Sequence, residues 1–320
     1  MSGLVLGIDI GGTGSRVALA DLDSRGAVLG TFNAPGVSVG AEGSSAPRQI
    51  RGLVSAAREA WPEHVDSIRG IGIGATGIAS LSTDVGELAR SLVTEASTKT
   101  AVAIDAVTAH LGALGGHGGT IVVLGTGAIG IAHPGPDDQG VFSPRWSRVD
   151  GWGHLFGDRG GGAWIGRHAL EAALRTHDGV SEAGRGLLEA ATGRFGPPAS
   201  WPAQFYTRDD RAGRLADFAA DVAPLARTDD AAAELMGEAG REAARTALAA
   251  SAASATSIAL TGGLAQAGGR LVSGFREEVA SLNPGAVVVE PEGDPLGGAL
   301  LLGRLAAEGK LHNQDTVLWT

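Results

Sequence analysis

The 320-residue chain contains no cysteine. That removes disulfides, thiolate nucleophiles, iron–sulfur clusters and cysteine-ligated zinc from consideration. Lysine is nearly missing, with only Lys99 and Lys310, while arginine, alanine and glycine are plentiful, a bias that genomic base composition is enough to produce. No dense Lys/Arg run occurs and the formal charge is −10 at pH 7. The chain therefore lacks the phosphate-neutralising surface from which nucleic-acid binders draw affinity. No stretch approaches the roughly 18 to 20 consecutive apolar residues needed to span a bilayer, and the N-terminus has no basic segment followed by an apolar one. A cytoplasmic protein without nucleic-acid or membrane partners is expected.

What is present is ordinary in bulk and unusual in detail. Hydrophobic residues make up 43% and charged residues 19%, as in globular proteins, and the length suffices for one large or two ordinary domains. Glycine, however, reaches 52 residues, about twice its usual share. Much of it clusters directly after apolar runs. "GLVLGIDI", "SRVALADLD" and "GAVLGTFNAP" read as an antiparallel meander whose first turn is glycine-rich. "SAPRQIRGLVSAAREAW" has helical spacing, "IRGIGIGATG" returns to strand, and "TAVAIDAVTAHLGALGG" passes from strand to helix at Asp105. A first domain over 1–115 and a second over 116–320 are expected.

The second part repeats the first. "GGTIVVLGTGAIGIAH" is again strand, Gly-Thr-Gly turn and strand. An alanine-rich helical stretch running through "TALAASAA" follows, interrupted by "GRFGPPASWPAQF" and by Pro224. Then come a further strand and glycine turn, "TSIALTGGLAQAG", and a closing helix, "GDPLGGALLLGRLAAEG". A turn such as "DIGGTGS" leaves backbone N–H groups unobstructed by side chains, so phosphate oxygens can approach, and Thr13 and Ser15 add hydroxyls. One such turn could equally be a tight hairpin. Three in one chain favour phosphate binding.

The segments "GIDIGGTGSRVALAD", "AIDAVTAHLG", "VVLGTGAIGIA", "GWGHLFGDRGGGAWIG", "ALTGGLAQAG" and "GDPLGGALLL" resemble, in order and spacing, the BadF/BadG/BcrA/BcrD ATPase family, nearest to its glucosamine and N-acetylglucosamine kinases. The resemblance implies a two-domain, actin-like (ribonuclease H-like) α/β fold with an interdomain cleft, ATP and Mg²⁺ as cofactors, and an amino sugar as phosphoryl acceptor at its 6-hydroxyl. It further implies that Asp9 holds Mg²⁺ through water and that Gly11, Gly12, Thr13 and Gly14, with Gly125, Thr126 and Gly127, cradle phosphates. Gly262 and Gly263 would pass beneath the adenosine. Asp105 would be the general base, with a helix N-cap as its structural alternative. Asp150, Gly151, Trp152, Gly153, His154 and Asp158 would contact the sugar, Asp158 through two hydroxyls, with His154 orienting or packing. Relatives with this resemblance suggest a homodimer.

Three departures from the family pattern bear on the acceptor. Asp150 replaces the glycine before "GWG", Arg159 converts "GDEG" to "GDRG", and Gly36 falls where a sugar-contacting asparagine is usual. A carboxylate near C2 would favour a free ammonium over an acetamide, so glucosamine is the expected substrate and N-acetylglucosamine the alternative. A dehydratase-activating ATPase needs cluster-binding cysteines and is excluded. A nicotinamide enzyme is disfavoured because "GTGAIG" runs into a strand rather than a helix. No helix-turn-helix segment precedes the first strand, which disfavours a repressor. A sugar-sensing ATPase without kinase activity is the remaining different-class reading.

Overall fold

The computed structural model describes residues 3–23, 27–37, 39–40, 43–81, 84–251 and 257–320. Gly26, Ser38, Ala252, Ala253 and Thr256, which fall in segments singled out from the sequence, lie outside the described residues. In chain order the strands and helices begin with β1 (Leu4–Ile10), β2 (Ser15–Asp21), β3 (Val28–Ala34), β4 (Val39–Gly40), β5 (Gly43–Ser44) and α1 (Ala46–Ala60). They continue with β6 (Ile68–Ala75), α2 (Ile78–Leu81), α3 (Val85–Ala96), β7 (Lys99–Ile104), α4 (Asp105–Ala113), β8 (Gly119–Leu124), β9 (Ala128–His133) and β10 (Ser147–Asp150). Next come α5 (Gly162–His177), α6 (Arg185–Phe195), α7 (Trp201–Tyr206), α8 (Arg211–Leu225), α9 (Asp230–Ala250) and β11 (Ser257–Thr261). The chain closes with α10 (Gly269–Leu282), β12 (Val287–Val289), α11 (Pro295–Glu308) and β13 (Leu318–Trp319).

Two compact units result, each with its own sheet. The first comprises Met1–Gly119, Ala132–Trp146 and Glu290–Thr320, and the second Thr120–Ile131 and Ser147–Val289. A single division at 115 therefore misses two returns of the chain to the first unit. The larger return, α11, has a packing cause. In β6 the sequence "IRGIGIGA" alternates isoleucine with glycine, so from Gly70 to Gly74 one face of the strand carries no side chains. Side chains at Gly70 and Gly72 would collide with the Ala299 and Gly303 backbone of α11, and one at Gly74 with Thr108 of α4. Helix backbones can lie directly on that strand face only because it is bare.

The first unit's sheet has the order β13-β7-β6-β1-β2-β3. Strands β1, β2 and β3 form the antiparallel meander expected from the sequence, while β6 runs parallel to β1 and β7 parallel to β6. Parallel strands buried on both faces read as near-continuous apolar runs, as "LVLGIDI" does. In the second unit the order is β10-β9-β8-β11-β12, with β11 parallel to β8. Phe218, Phe275, Leu187, Ile165 and the alanines of α9 fill its core; the small side chains let α10 lie close on α9. Pro224 sits at the penultimate position of α8, which ends one residue later.

Candidate active site

The β1 and β2 strands pair from Leu4↔Asp21 to Ile10↔Ser15, so residues 11–14 form the connecting loop. The Gly11 N–H donates to the Gly14 carbonyl at 2.9 Å and the Val37 N–H to the Gly11 carbonyl at 3.0 Å. Gly12 and Thr13, at the exposed tip, make no backbone hydrogen bond among the described residues. Their N–H groups are available to an anion. Gly36 lies against this loop: a Cβ there would stand 2.6 Å from the Gly12 carbonyl carbon and 2.7 Å from the Gly14 nitrogen. The departure from asparagine at this position thus has a steric reason. Gly36→Asn is expected to displace the loop and cost about 1 to 3 kcal/mol of stability, which thermal denaturation checks. An unchanged Tm would contradict the close packing.

Sheet register ties this loop to Asp105. Ile10 pairs with Ala75, and Ala75 with Ile104. The loop after β1 and the first residue of α4 therefore leave the same, carboxyl-terminal edge of three adjacent parallel strands, two strand spacings or roughly 10 Å apart. Ligands of open α/β sheets bind at that edge. Ile104 occupies the N-cap of α4 and Asp105 the first helical position, so a capping role for the Asp105 side chain falls one residue off. The Thr108 hydroxyl donates to the Asp105 carbonyl at 2.9 Å, fixing the first turn.

Asp9 and Arg16 face each other across the hairpin, a cross-strand pair of opposite charge. Arg16 donates through Nη2 (2.8 Å) and Nε (3.3 Å) to Asp9 Oδ2, and through Nη1 (2.6 Å) to Asp294 Oδ2. Asp294 also caps α11 by accepting the Gly297 N–H at 2.9 Å. Burial raises the Asp9 pKa, and the Arg16 hydrogen bonds oppose the rise. Asp294 is likewise pushed up by burial, but the Gly297 N–H and Arg16 outweigh this and hold its pKa low. Sequence reasoning missed Arg16 and Asp294. The hairpin register and the Asp-Pro helix start were the signals that could have found them.

In the second unit, β8 and β11 are parallel neighbours that end together, Val123 pairing with Thr261. Gly125–Gly127 and Gly262–Gly263 accordingly leave the same sheet edge. The Gly125 N–H donates to the Gly127 carbonyl, and the carbonyls of Gly125 and Thr126 accept the N–H groups of Gly162 and Ala163, each at 2.9 Å. The first turn of α5 is therefore used to hold this loop.

The segment after β10 is braced from within by its two aspartates. Asp150 is only 4% exposed. Its Oδ1 accepts the Asp158 N–H at 2.8 Å, its Oδ2 accepts the Arg159 N–H at 3.0 Å, and Arg159 Nη1 lies 3.6 Å from Oδ2. It is a buried carboxylate with a backbone N–H on each oxygen, not a solvated surface residue. Asp158, in the left-handed region at φ 56°, accepts the Gly153 N–H at 3.2 Å. Its Oδ2 would stand 2.5 Å from a Cβ at Gly127, so the absent side chain there makes room for it. Burial raises the Asp158 pKa; the Gly153 N–H opposes this and Asp150 reinforces it. Between them Gly151 carries Arg148, whose Nη2 donates to the Gly151 carbonyl at 2.8 Å while its guanidinium lies 5.2 Å from the Trp152 ring centroid. Trp152 is 67% exposed, and Leu155 and Phe156 are also exposed. His154 is half-buried, its pKa lowered by burial and by Arg211 and Arg167.

The site residues thus form two groups, one per unit: Asp9, Gly11–Gly14 and Asp105 in the first, and Gly125–Gly127, Asp150–Asp158 and Gly262–Gly263 in the second. The paired α/β units with glycine turns at strand ends are the actin-like fold shared with sugar kinases. The chain belongs to the BadF/BadG/BcrA/BcrD ATPase family, whose model matches residues 6–303. A candidate N-acetylglucosamine kinase from Chromobacterium violaceum superposes with a TM-score of 0.68 at 27% identity, covering 94% of this chain and 99% of that one. The N-acetylmuramic acid/N-acetylglucosamine kinase of Clostridium acetobutylicum is 30% identical over 177 residues, 54% of either chain. The match spans about half the length of that curated relative. A ROK glucokinase from Streptomyces griseus shares the fold at TM-score 0.57 and 19% identity, over 96% of this chain and 100% of that one. No helix among the described residues is long and apolar enough to cross a membrane.

Proposed function

We propose that the protein is an ATP-dependent amino-sugar kinase that phosphorylates the 6-hydroxyl of N-acetylglucosamine. The observation that carries this reading is the register row Ile10, Ala75 and Ile104, by which a glycine loop with available N–H groups and Asp105 share one strand edge. The names of the relatives support the acceptor class. The argument for glucosamine depends on Asp150 facing C2, yet Asp150 is buried and each of its oxygens already accepts a backbone N–H, so a free ammonium has less to gain from it.

In this mechanism Gly12 and Thr13 offer N–H groups to phosphate oxygens, the Thr126–Gly127 turn of the second unit is a further phosphate-binding turn, and Gly262–Gly263 pass the adenosine. Asp105 accepts the proton of the sugar hydroxyl as that oxygen bonds to the γ-phosphorus. The bond from the γ-phosphorus to the bridging oxygen breaks and ADP leaves. Positioning and charge neutralisation carry most of such a transfer. Among the described residues no group of three or more His, Cys, Asp or Glu could hold a metal ion. A cation at Asp9 would rely on one carboxylate, water and phosphate oxygens, a set that suits Mg²⁺. When bound, Mg²⁺ neutralises charge on the nucleotide phosphates. Trp152 offers an apolar face to the sugar ring.

A coupled ADP-release assay with MgATP tests the reading across N-acetylglucosamine, glucosamine, glucose and mannosamine. The expected result is sugar-dependent turnover, with kcat/KM for N-acetylglucosamine exceeding that for glucosamine by about tenfold, some 1.4 kcal/mol of differential transition-state binding. A preference for glucosamine would restore the free-amine reading. ATP hydrolysis indifferent to sugar would favour a sensor.

A further inference from the structure

We propose that Asp294 is a positioning residue for Asp9, acting through Arg16, and that it sets how strongly nucleotide binding depends on Mg²⁺. The inference rests on the kinase reading above. Arg16 spends Nε and Nη2 on Asp9 and Nη1 on Asp294, so the guanidinium is shared between two carboxylates. The exposed Arg16–Asp294 pair contributes little to stability by itself, whereas Asp9 is largely buried. The geometric effect of the two pairs is larger, because a planar guanidinium gripped at two edges has few rotamers left. It therefore fixes Asp9 Oδ2 in one direction and leaves Oδ1 for a hydrated cation. Asp294 is itself fixed: its Oδ1 caps α11, and its carbonyl oxygen lies against Gly112 of α4, where any side chain would strike it. A side chain at Gly298, in the first turns of α11, would likewise strike the Thr108 carbonyl in α4. Asp294 thus joins the helix that begins with Asp105 to the guanidinium that holds Asp9. Without its charge, Arg16 turns wholly to Asp9 and neutralises the carboxylate that the cation needs.

Asp294→Asn tests this, since asparagine caps helices as well as aspartate does. Binding of a non-hydrolysable ATP analogue is measured by calorimetry with and without Mg²⁺, in wild type, Asp294→Asn, Arg16→Ala and the double variant, with Tm recorded for each. The expected result is a five- to tenfold smaller Mg²⁺-dependent gain in affinity for Asp294→Asn, a coupling of the size seen within charged networks. Tm should stay within about 3 °C, and the substitution should have no further effect in the Arg16→Ala background. An undiminished Mg²⁺ gain in Asp294→Asn, or an equal loss with and without Arg16, overturns the proposal while leaving the kinase reading intact. A wild type that shows no Mg²⁺-dependent binding of the analogue overturns both.

Discussion

Asp105→Asn is expected to lower kcat by about 10²- to 10⁴-fold, the range of general-base catalysis, with the KM for sugar and for ATP changed little. The amide is isosteric with the carboxylate and keeps hydrogen-bonding capacity but has no basic oxygen, so the loss falls on the proton-transfer step rather than on binding. Tm should drop by no more than about 3 °C, since a first-turn aspartate contributes roughly 0.3 to 1 kcal/mol through the helix dipole. The combination separates chemistry from architecture. A residue serving only the start of α4 would lose stability and retain turnover. Near-normal kcat in a folded Asp105→Asn enzyme would remove the base assignment, and the register argument would then support a nucleotide site alone.

How much of this was legible in the sequence differs residue by residue. The strand-turn-strand units were readable because apolar runs of strand length end in glycine, and both hairpins lie where that pattern puts them. The placement of Asp105 just after a strand was readable for the same reason. The division into units was not. α11 joins the first unit because its backbone meets the bare face of β6, a pairing across more than 200 residues that no local pattern announces. Gly36 could be recognised as a departure, but its cause, the proximity of Gly12 and Gly14, is a contact across the loop. Asp150 was read as a sugar contact because an acidic residue beside a glycine-rich segment looks available to a ligand, and its bracing of the segment was not readable. Which backbone N–H groups a buried carboxylate satisfies depends on how the chain turns eight residues later, at Asp158.

Asp150→Ala is accordingly expected to act on structure before substrate. Removing the carboxylate leaves the N–H groups of Asp158 and Arg159 without their acceptor, one of them at a buried residue, at a cost of about 1 to 3 kcal/mol for each that water cannot reach. For a chain of this size that lowers Tm by roughly 2 to 5 °C. Asp150 and Gly151 both have left-handed backbone, at φ 64° and 72°, and Asp158 does too, so the segment depends on these bonds to keep three uncommon conformations at once. Once they are gone, Asp158 should lose its seat against Gly127, and kcat/KM should fall alike for glucosamine and N-acetylglucosamine. Asp150→Asn keeps one acceptor oxygen and turns an amide toward the second N–H, so an intermediate Tm is expected. If Asp150 instead met the sugar amine directly, Asp150→Ala would leave Tm in place and cost activity toward glucosamine alone. Thermal denaturation beside kinetics on the two sugars separates the brace from the contact.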